Sequence, residues 1–239
     1  MRLTVVGCSG SAPAPDAACS CYLVEHDGHR LLLDLGAGAC GPLQRYADPA
    51  DIDAVIMSHN HPDHWSDLVQ LGYLRSRVKA PVLPLVGPST MAEVLTTNPD
   101  VFAATVATAA PATVGPIPYR LARLDHGACE AWGTRIGDVL CYTADTGPCD
   151  ALDELADGCA VLLAEGSGFD DADSSGDEPI GAHLTAGEAG RLATRSGAKL
   201  LVLTHLRPWH DHAALLDEAA SHASCPVVLA RPGLRVSLR

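Results

Sequence analysis

The sequence predicts an α/β protein in which two β-sheets pack together with helices outside them. Three observations lead there. Short β-rich runs and helical stretches alternate in two successive blocks, one in each half of the 239 residues. No Pro/Gly/Ser-rich linker divides the blocks, so 1–239 reads as a single domain. The chain is 47% hydrophobic but only 4% aromatic, so Ala, Val and Leu must fill the core.

The first block opens with "RLTVVG" (2–7), "CYLVEHD" (21–27) and "HRLLLDLG" (29–36), three β-rich runs. "DG" at 27–28 is a hairpin turn signal. "GACGPLQRY" suits a short helix, and "AVIM" (54–57) a buried strand. "SDLVQLGYLRSR" (66–77) has apolar residues at helical spacing, with Asp63 or Ser66 as the expected cap. "APVLPLVG" reads as a strand and "STMAEVLTT" as a helix, while 98–118, rich in Ala, Thr and Pro, gives no pattern. In the second block "YRLARLD" (119–125), "CEAWGTRIG" (129–137) and "VLCYTAD" (139–145) are strands. "CDALDELAD" is a helix, "CAVLLAEG" (159–166) a strand and "DDADSSGDEP" an acidic, solvated loop that could act as a lid. "TAGEAGRLATRSG" is a helix that Thr185 caps, with Glu188 as its capping-box partner. "KLLVLTH" (199–205) is a strand, "DHAALLDEAASH" a helix, and two short strands finish the chain.

Composition excludes some functions. The formal net charge is −13, and the 16 basic residues form no run, which disfavours a general nucleic-acid binder. The nine cysteines contain no C-x-x-C pair and sit mostly in apolar surroundings. They read as small buried thiols in a reducing cytoplasm. The N-terminal apolar run is too short for a signal peptide, and no 18-residue apolar run suggests a membrane span.

The chemistry concentrates in "SHNHPDHW", Ser58 to Trp65, straight after the apolar run. Imidazoles and carboxylates are the ligands that zinc and similar divalent ions prefer. His59 and His61 alternate on an extended segment and so point the same way. Pro62 then turns the chain, and Asp63 and His64 face the site from a helix start. One segment can thus serve two metals. His126, Asp145 and His205 each follow an apolar strand, where a site built on strand ends would need them. Any one alone would read as a cap or turn residue; together with the first cluster they read as ligands.

These residues resemble the metallo-β-lactamase superfamily, with H-x-H-x-D-H after a strand, then a His, a bridging Asp and a last His, each at a strand end. The resemblance covers nearly the whole chain. It implies an αββα four-layer sandwich, two mixed sheets flanked by helices, with a dinuclear site at one sheet edge. It implies that His59, His61 and His126 hold one divalent ion, that Asp63, His64 and His205 hold the other, and that Asp145 bridges. The ions expected are Zn2+, with Mn2+ or Fe2+ as alternatives.

"GAHLTAGEAGRLA" and "KLLVLTHLRPW" are similar to the tRNase Z and phosphodiesterase branch, in which an H-x-T element precedes a helix. His183 and Thr185 occupy that element. The long tRNA-gripping arm of tRNase Z is missing, since only 18 residues separate His126 from Asp145. The pattern is similar to small actinobacterial-type proteins grouped with atypical cyclic-nucleotide phosphodiesterases. The expectation is a hydrolase of a small anionic ester such as a cyclic nucleotide, in which a metal-bridged hydroxide attacks. His183 is the expected general acid, and Asp63 doubles as ligand and proton acceptor. Thr143 or Thr146 either orients Asp145 or plays a plain capping role. Glyoxalase-II-type thioesterases share all seven ligands, so a thioester, lactone or pathway-specific substrate stays open, as does a non-catalytic metal-binding regulator. A homodimer is also compatible with the sequence. His210 and His212 read as surface residues, and Trp65 and Trp209 as core or rim packing residues beside ligand segments, with stacking on a base as the alternative for either.

Overall fold

The computed structural model describes residues 1–91, 99–171 and 182–238. Its first half supplies β1 (Arg2–Gly7), β2 (Cys21–His26), β3 (His29–Leu33), α1 (Cys40–Leu43), β4 (Ala54–Ile56), α2 (Pro62–Trp65), α3 (Leu68–Val78), β5 (Leu83–Gly87) and β6 (Phe102–Val106). The second half supplies β7 (Ala112–Val114), β8 (Ile117–His126), β9 (Cys129–Ile136), β10 (Leu140–Tyr142), α4 (Asp150–Ala156), β11 (Val161–Glu165) and α5 (Ala186–Arg195). β12 (Leu200–Thr204), α6 (His212–His222), β13 (Val227–Leu229) and β14 (Arg235–Ser237) complete it.

Among the described residues the strands form two mixed sheets of seven, ordered β14-β1-β2-β3-β4-β5-β6 and β13-β12-β11-β10-β9-β8-β7. The reason lies in the doubly apolar strands. On β2 and β3, Val24, Leu31 and Leu33 face the opposite sheet, while Leu23 and Leu32 face α1 and α3. Alternate residues thus feed two cores, so these strands read as continuous apolar runs. β11 and β12 do the same: Leu163 and Val202 point between the sheets, and Leu162, Leu201 and Leu203 pack under α4, α5 and α6. The layers are helix, sheet, sheet, helix, as the resemblance implies.

Most local expectations hold. Asp27 and Gly28 take positive φ at the β2–β3 turn, and Thr185 and Glu188 complete the capping box of α5. The helix expected at 66–77 differs. It is two helices, α2 and α3, and neither Asp63 nor Ser66 caps α3. Its N-cap is Asp67, whose carboxylate instead accepts the Cys40 N–H at 2.8 Å and ties α3 to α1. The stretch 98–118 holds β6, β7 and the start of β8. The helix expected from "STMAEVLTT" and most of the acidic loop lie outside the described residues. The described cysteines are free thiols, and Cys8, Cys19, Cys21, Cys40, Cys141 and Cys159 are buried. No described helix is long and apolar enough to cross a membrane.

Topology assembles one edge. β10, β11 and β12 run parallel in register, with Tyr142 beside Leu163 and Glu165 beside Thr204. Their C-terminal ends therefore deliver Asp145, Glu165 and His205 side by side. From the other sheet, β4 ends just before His59. Hydroxyl groups tie the sheets together here: Tyr142 donates to Asp34 at 2.7 Å, and Tyr22 and Thr204 are bonded at 2.7 Å.

Candidate metal centre

The segment after β4 is shaped by a buried carboxylate. Asp34 accepts the Ser58 N–H at 2.7 Å and the Ser58 hydroxyl at 2.8 Å. His61 stays extended at ψ 137°, and Pro62 opens α2, where its missing N–H is no loss. The turn brings the His59 and His61 rings to 4.7 Å between centroids, and Asp63 and His64 follow on the buried side of α2.

Four imidazoles share one arrangement. Each is tethered outward through Nδ1: His59 to Ser58 Oγ at 3.0 Å, His64 to Asp34 at 2.8 Å, His126 to the Ala182 carbonyl at 2.7 Å, and His205 to Ser167 Oγ at 2.9 Å. Nε2 of each then points inward. His126 Nε2 meets His61 Nδ1 at 3.1 Å, two ring nitrogens facing each other. His205 Nε2 lies 3.1 Å from Asp63 and 3.2 Å from Asp145. Among the described residues His59 Nε2, His64 Nε2 and Asp145 Oδ1 are buried with no hydrogen-bond partner, although the last two lie 3.3 Å apart. Buried polar atoms are normally satisfied, so convergent unsatisfied nitrogens and carboxylate oxygens fit a cation between them.

The ligand atoms fall into groups whose members all lie within 4.8 Å of one another: His59, His61, His126 and Asp145; Asp63, His64, Asp145 and His205; and Asp145, Glu165, His183 and His205. The structure thus brings together His59, His61, Asp63, His64, His126, Asp145, His183 and His205, every site residue expected from the sequence, and adds Glu165. The first two groups are the two ligand sets the resemblance implies. Two nitrogen/oxygen sets sharing one carboxylate suit divalent ions of the zinc type.

The electrostatics differ between these groups. Burial, reinforced by neighbouring imidazoles, pushes His59 and His61 below the ordinary histidine range. Burial also opposes charge on His64, but Asp145, Asp63 and Asp34 outweigh it and raise its pKa well above the usual value. Burial likewise works against Asp63 and Asp145, yet His64 and His205 hold both carboxyl groups well below their usual range.

Backbone strain concentrates here. Ser11, Asp34, Ala144 and His205 are non-glycine residues with φ of 62°, 58°, 52° and 53°. Such conformations cost on the order of 1–3 kcal/mol each and persist where surroundings enforce them. Ser11 spends its conformation on aiming its N–H at Asp63, 2.7 Å away. Gly36 permits the closest approach, since a Cβ there would lie 1.7 Å from the Asp63 carbonyl oxygen.

His183 is held by Glu165, a carboxylate the sequence reading missed. His183 Nδ1 lies 2.7 Å from Glu165 Oε2, and the ring stacks on His205 with centroids 5.8 Å apart. Ser167 Oγ also donates to Glu165, which links the tethers of His183 and His205. Glu165 ends an apolar strand in "CAVLLAEG", and Asp34 ends another in "HRLLLDLG". Both satisfied the criterion that singled out Asp145 and His205. Thr143 and Thr146 do not orient Asp145: the Thr143 hydroxyl donates to the Ala144 carbonyl, and Thr146 bonds Glu165 and the Asp125 carbonyl. His210 and His212 are half-buried rather than surface residues, and neither belongs to the ligand groups.

Comparison with known proteins agrees with this geometry. The profile of the beta-lactamase superfamily domain matches residues 29–206. An uncharacterized Mycobacterium tuberculosis protein, Rv1339, is 36% identical over 95% of this chain and 88% of its own length. The probable metallo-hydrolase YhfI of Bacillus subtilis is 29% identical over 98% of both chains. Its crystal structure superposes with a TM-score of 0.89 at 30% identity, covering 98% of each chain. A diphosphatase of the PhnP family gives a TM-score of 0.82 at 20% identity over 100% of this chain and 98% of that one, a likeness of fold. With the profile spanning every expected ligand and relatives covering nearly its full length, the chain belongs to the beta-lactamase superfamily.

Proposed function

We propose that this protein is a metal-dependent hydrolase holding two divalent ions, Zn2+ by preference, and that it cleaves a compact phosphodiester such as a cyclic nucleotide. The observation that carries the metal reading is the set of inward ring nitrogens, each oriented through its other nitrogen. Bound there, the ions would supply a nucleophile made from water at neutral pH and positive charge for the phosphoryl oxygens.

The residues of the chain account for the rest. His59, His61 and His126 with Asp145 would hold one ion, and Asp63, His64 and His205 with Asp145 the other. Glu165 accepts from Nδ1–H of His183 at 2.7 Å and stands as counter-ion to the imidazolium, the form that carries a transferable proton on Nε2. His183 then protonates the departing alkoxide, which is a poor leaving group. Asp63, already accepting from Ser11 N–H, keeps its charge for ligation and for taking up a proton during attack. The phosphodiester assignment draws on this acid dyad and on likenesses to a PhnP-family diphosphatase and to a Ribonuclease Z of Myxococcus xanthus, 26% identical over 100% of this chain and 98% of its own. A tRNA substrate fits poorly, because β8 and β9 join through a tight turn at Gly127 and leave no arm. The substrate we expect is a small anionic ester, handled without a membrane.

The test is a substrate panel on metal-loaded protein. Release of nucleoside monophosphate from cyclic AMP is the expected result. Hydrolysis of thioesters or lactones with no diester cleavage would defeat the proposal.

A further inference from the structure

The chain leaves the cluster through a turn that the chemistry above does not use. After β12 it presents His205, then runs over Arg207 to His210, where the His210 N–H donates to the Arg207 carbonyl at 3.1 Å. His212 Nε2 bonds the same carbonyl at 2.9 Å, and Asp211 caps α6 through Ala213 N–H at 2.9 Å. The turn is therefore fixed at its far end by α6 and at its near end by His205. On it Trp209 is 62% exposed. A single exposed indole needs no explanation; a row of rings does. The His210 ring lies 6.2 Å from that of Trp209 and meets Phe169 edge-on at 5.7 Å.

Phe169 arrives from a different strand. It follows β11 by way of Ser167, whose hydroxyl bonds both Glu165 and His205. The next residue, Asp170, is gripped by the Arg191 guanidinium at 2.8 and 2.9 Å, and its N–H donates to Glu218 at 3.0 Å. Trp209 and His210 thus stand on the loop after β12, and the half-buried Phe169, packed against the core under the helices, braces His210 edge-on from the loop after β11, on the edge that carries the ligands. Two of the chain's ten Trp, Phe and Tyr residues stand here.

We propose that the row is a stacking platform for the base of a nucleotide substrate. This rests on the phosphodiesterase reading and narrows its substrate class to diesters that carry an aromatic base. The physical reason is charge. A protein of net charge −13 attracts an anionic ester poorly outside its metal centre. A π-face binds a base without needing positive charge, contributes roughly 1–3 kcal/mol per base, and accepts any base.

The experiment uses metal-loaded protein and two readouts. One is steady-state hydrolysis of cyclic AMP and of ribose cyclic phosphate lacking a base. The other is tryptophan fluorescence on titration with AMP and with ribose phosphate. Trp209→Ala should raise KM for cyclic AMP about tenfold, keep kcat, and leave the base-free diester unchanged. Trp209→Phe should recover most of that loss. AMP should quench the wild-type fluorescence, ribose phosphate should not, and Trp209→Phe should remove the quench. Equal kinetics with both diesters, together with equal responses to AMP and ribose phosphate, would overturn the platform and leave the phosphodiesterase reading standing. A quench specific to AMP without hydrolysis of either diester would keep the platform and sink that reading.

Discussion

The two candidate metal positions are neighbours that differ in chemistry. One is lined by His59, His61 and His126 with Asp145 as its carboxylate, and His61 is exposed. The other is lined by Asp63, His64, Asp145 and His205, all buried, with twice the negative charge. The first offers imidazoles, of which His59 is fully buried and held below the ordinary histidine range by that burial, so it is neutral and ready to ligate. In the second, the carboxylates of Asp145, Asp63 and Asp34 raise the His64 pKa well above its usual value. Sharing Asp145 makes them one centre, but the buried, more anionic position should hold its ion more tightly and more pH-dependently.

The broadest way to break this comparison is to remove what both positions share. Asp145→Ala should cost one ion or separate the pair. Because a metal ion contributes several kcal/mol of charge stabilisation, turnover should fall about 10³-fold. An Asp145→Ala protein with both ions and full activity would remove the bridging assignment. Replacing His183 leaves both positions intact. His183→Ala should keep both ions yet lose about 10²–10⁴-fold on a diester with a poor leaving group. The loss should shrink on a nitrophenyl diester, whose leaving group needs little protonation. Equal losses on both would count against the acid role.

A smaller change separates the two positions. Asp34 touches His64 but no residue of the first group except through Ser58. Asp34→Asn should weaken the second ion by about 10–100-fold and leave the first nearly unchanged, as metal analysis at graded chelator concentration would show. The same position should also show the stronger pH dependence of the two. Because its carboxylates raise the His64 pKa, loading near neutral pH must expel that proton, and affinity should rise with pH until His64 is neutral. Calorimetry in buffers of different ionisation enthalpy reads the proton directly. Proton-free loading would contradict the assignment.

The two positions were also unequally legible in the sequence. His59, His61, Asp63 and His64 lie within six consecutive residues, where an extended-to-helix turn fixes their directions locally. Asp145 and His205 were readable as polar residues closing apolar strands. Glu165 and Asp34 close apolar strands in the same way, but the family resemblance gives neither a ligand position. The folded chain brings Glu165 to 2.7 Å from His183 Nδ1, a contact that no local spacing encodes. The succession of strand runs and helical stretches foretold two sheets with helices outside, and Thr185 with Glu188 foretold the start of α5. The α3 cap misled, because Asp67 bonds a distant N–H rather than its own helix. The positive φ of Ser11, Asp34, Ala144 and His205 was invisible: Asp and His only tolerate that region better than most residues, and nothing in Ser11 or Ala144 favours it.

The central claim is that both halves of the chain build one two-ion centre that cleaves a phosphodiester. The direct measurement is a titration of metal-stripped protein with Zn2+, following bound metal and hydrolysis of cyclic AMP in the same samples. The account predicts that activity stays low through the first equivalent and reaches its plateau at about two. Full activity at one equivalent, or two bound ions with no diester cleavage, would contradict it.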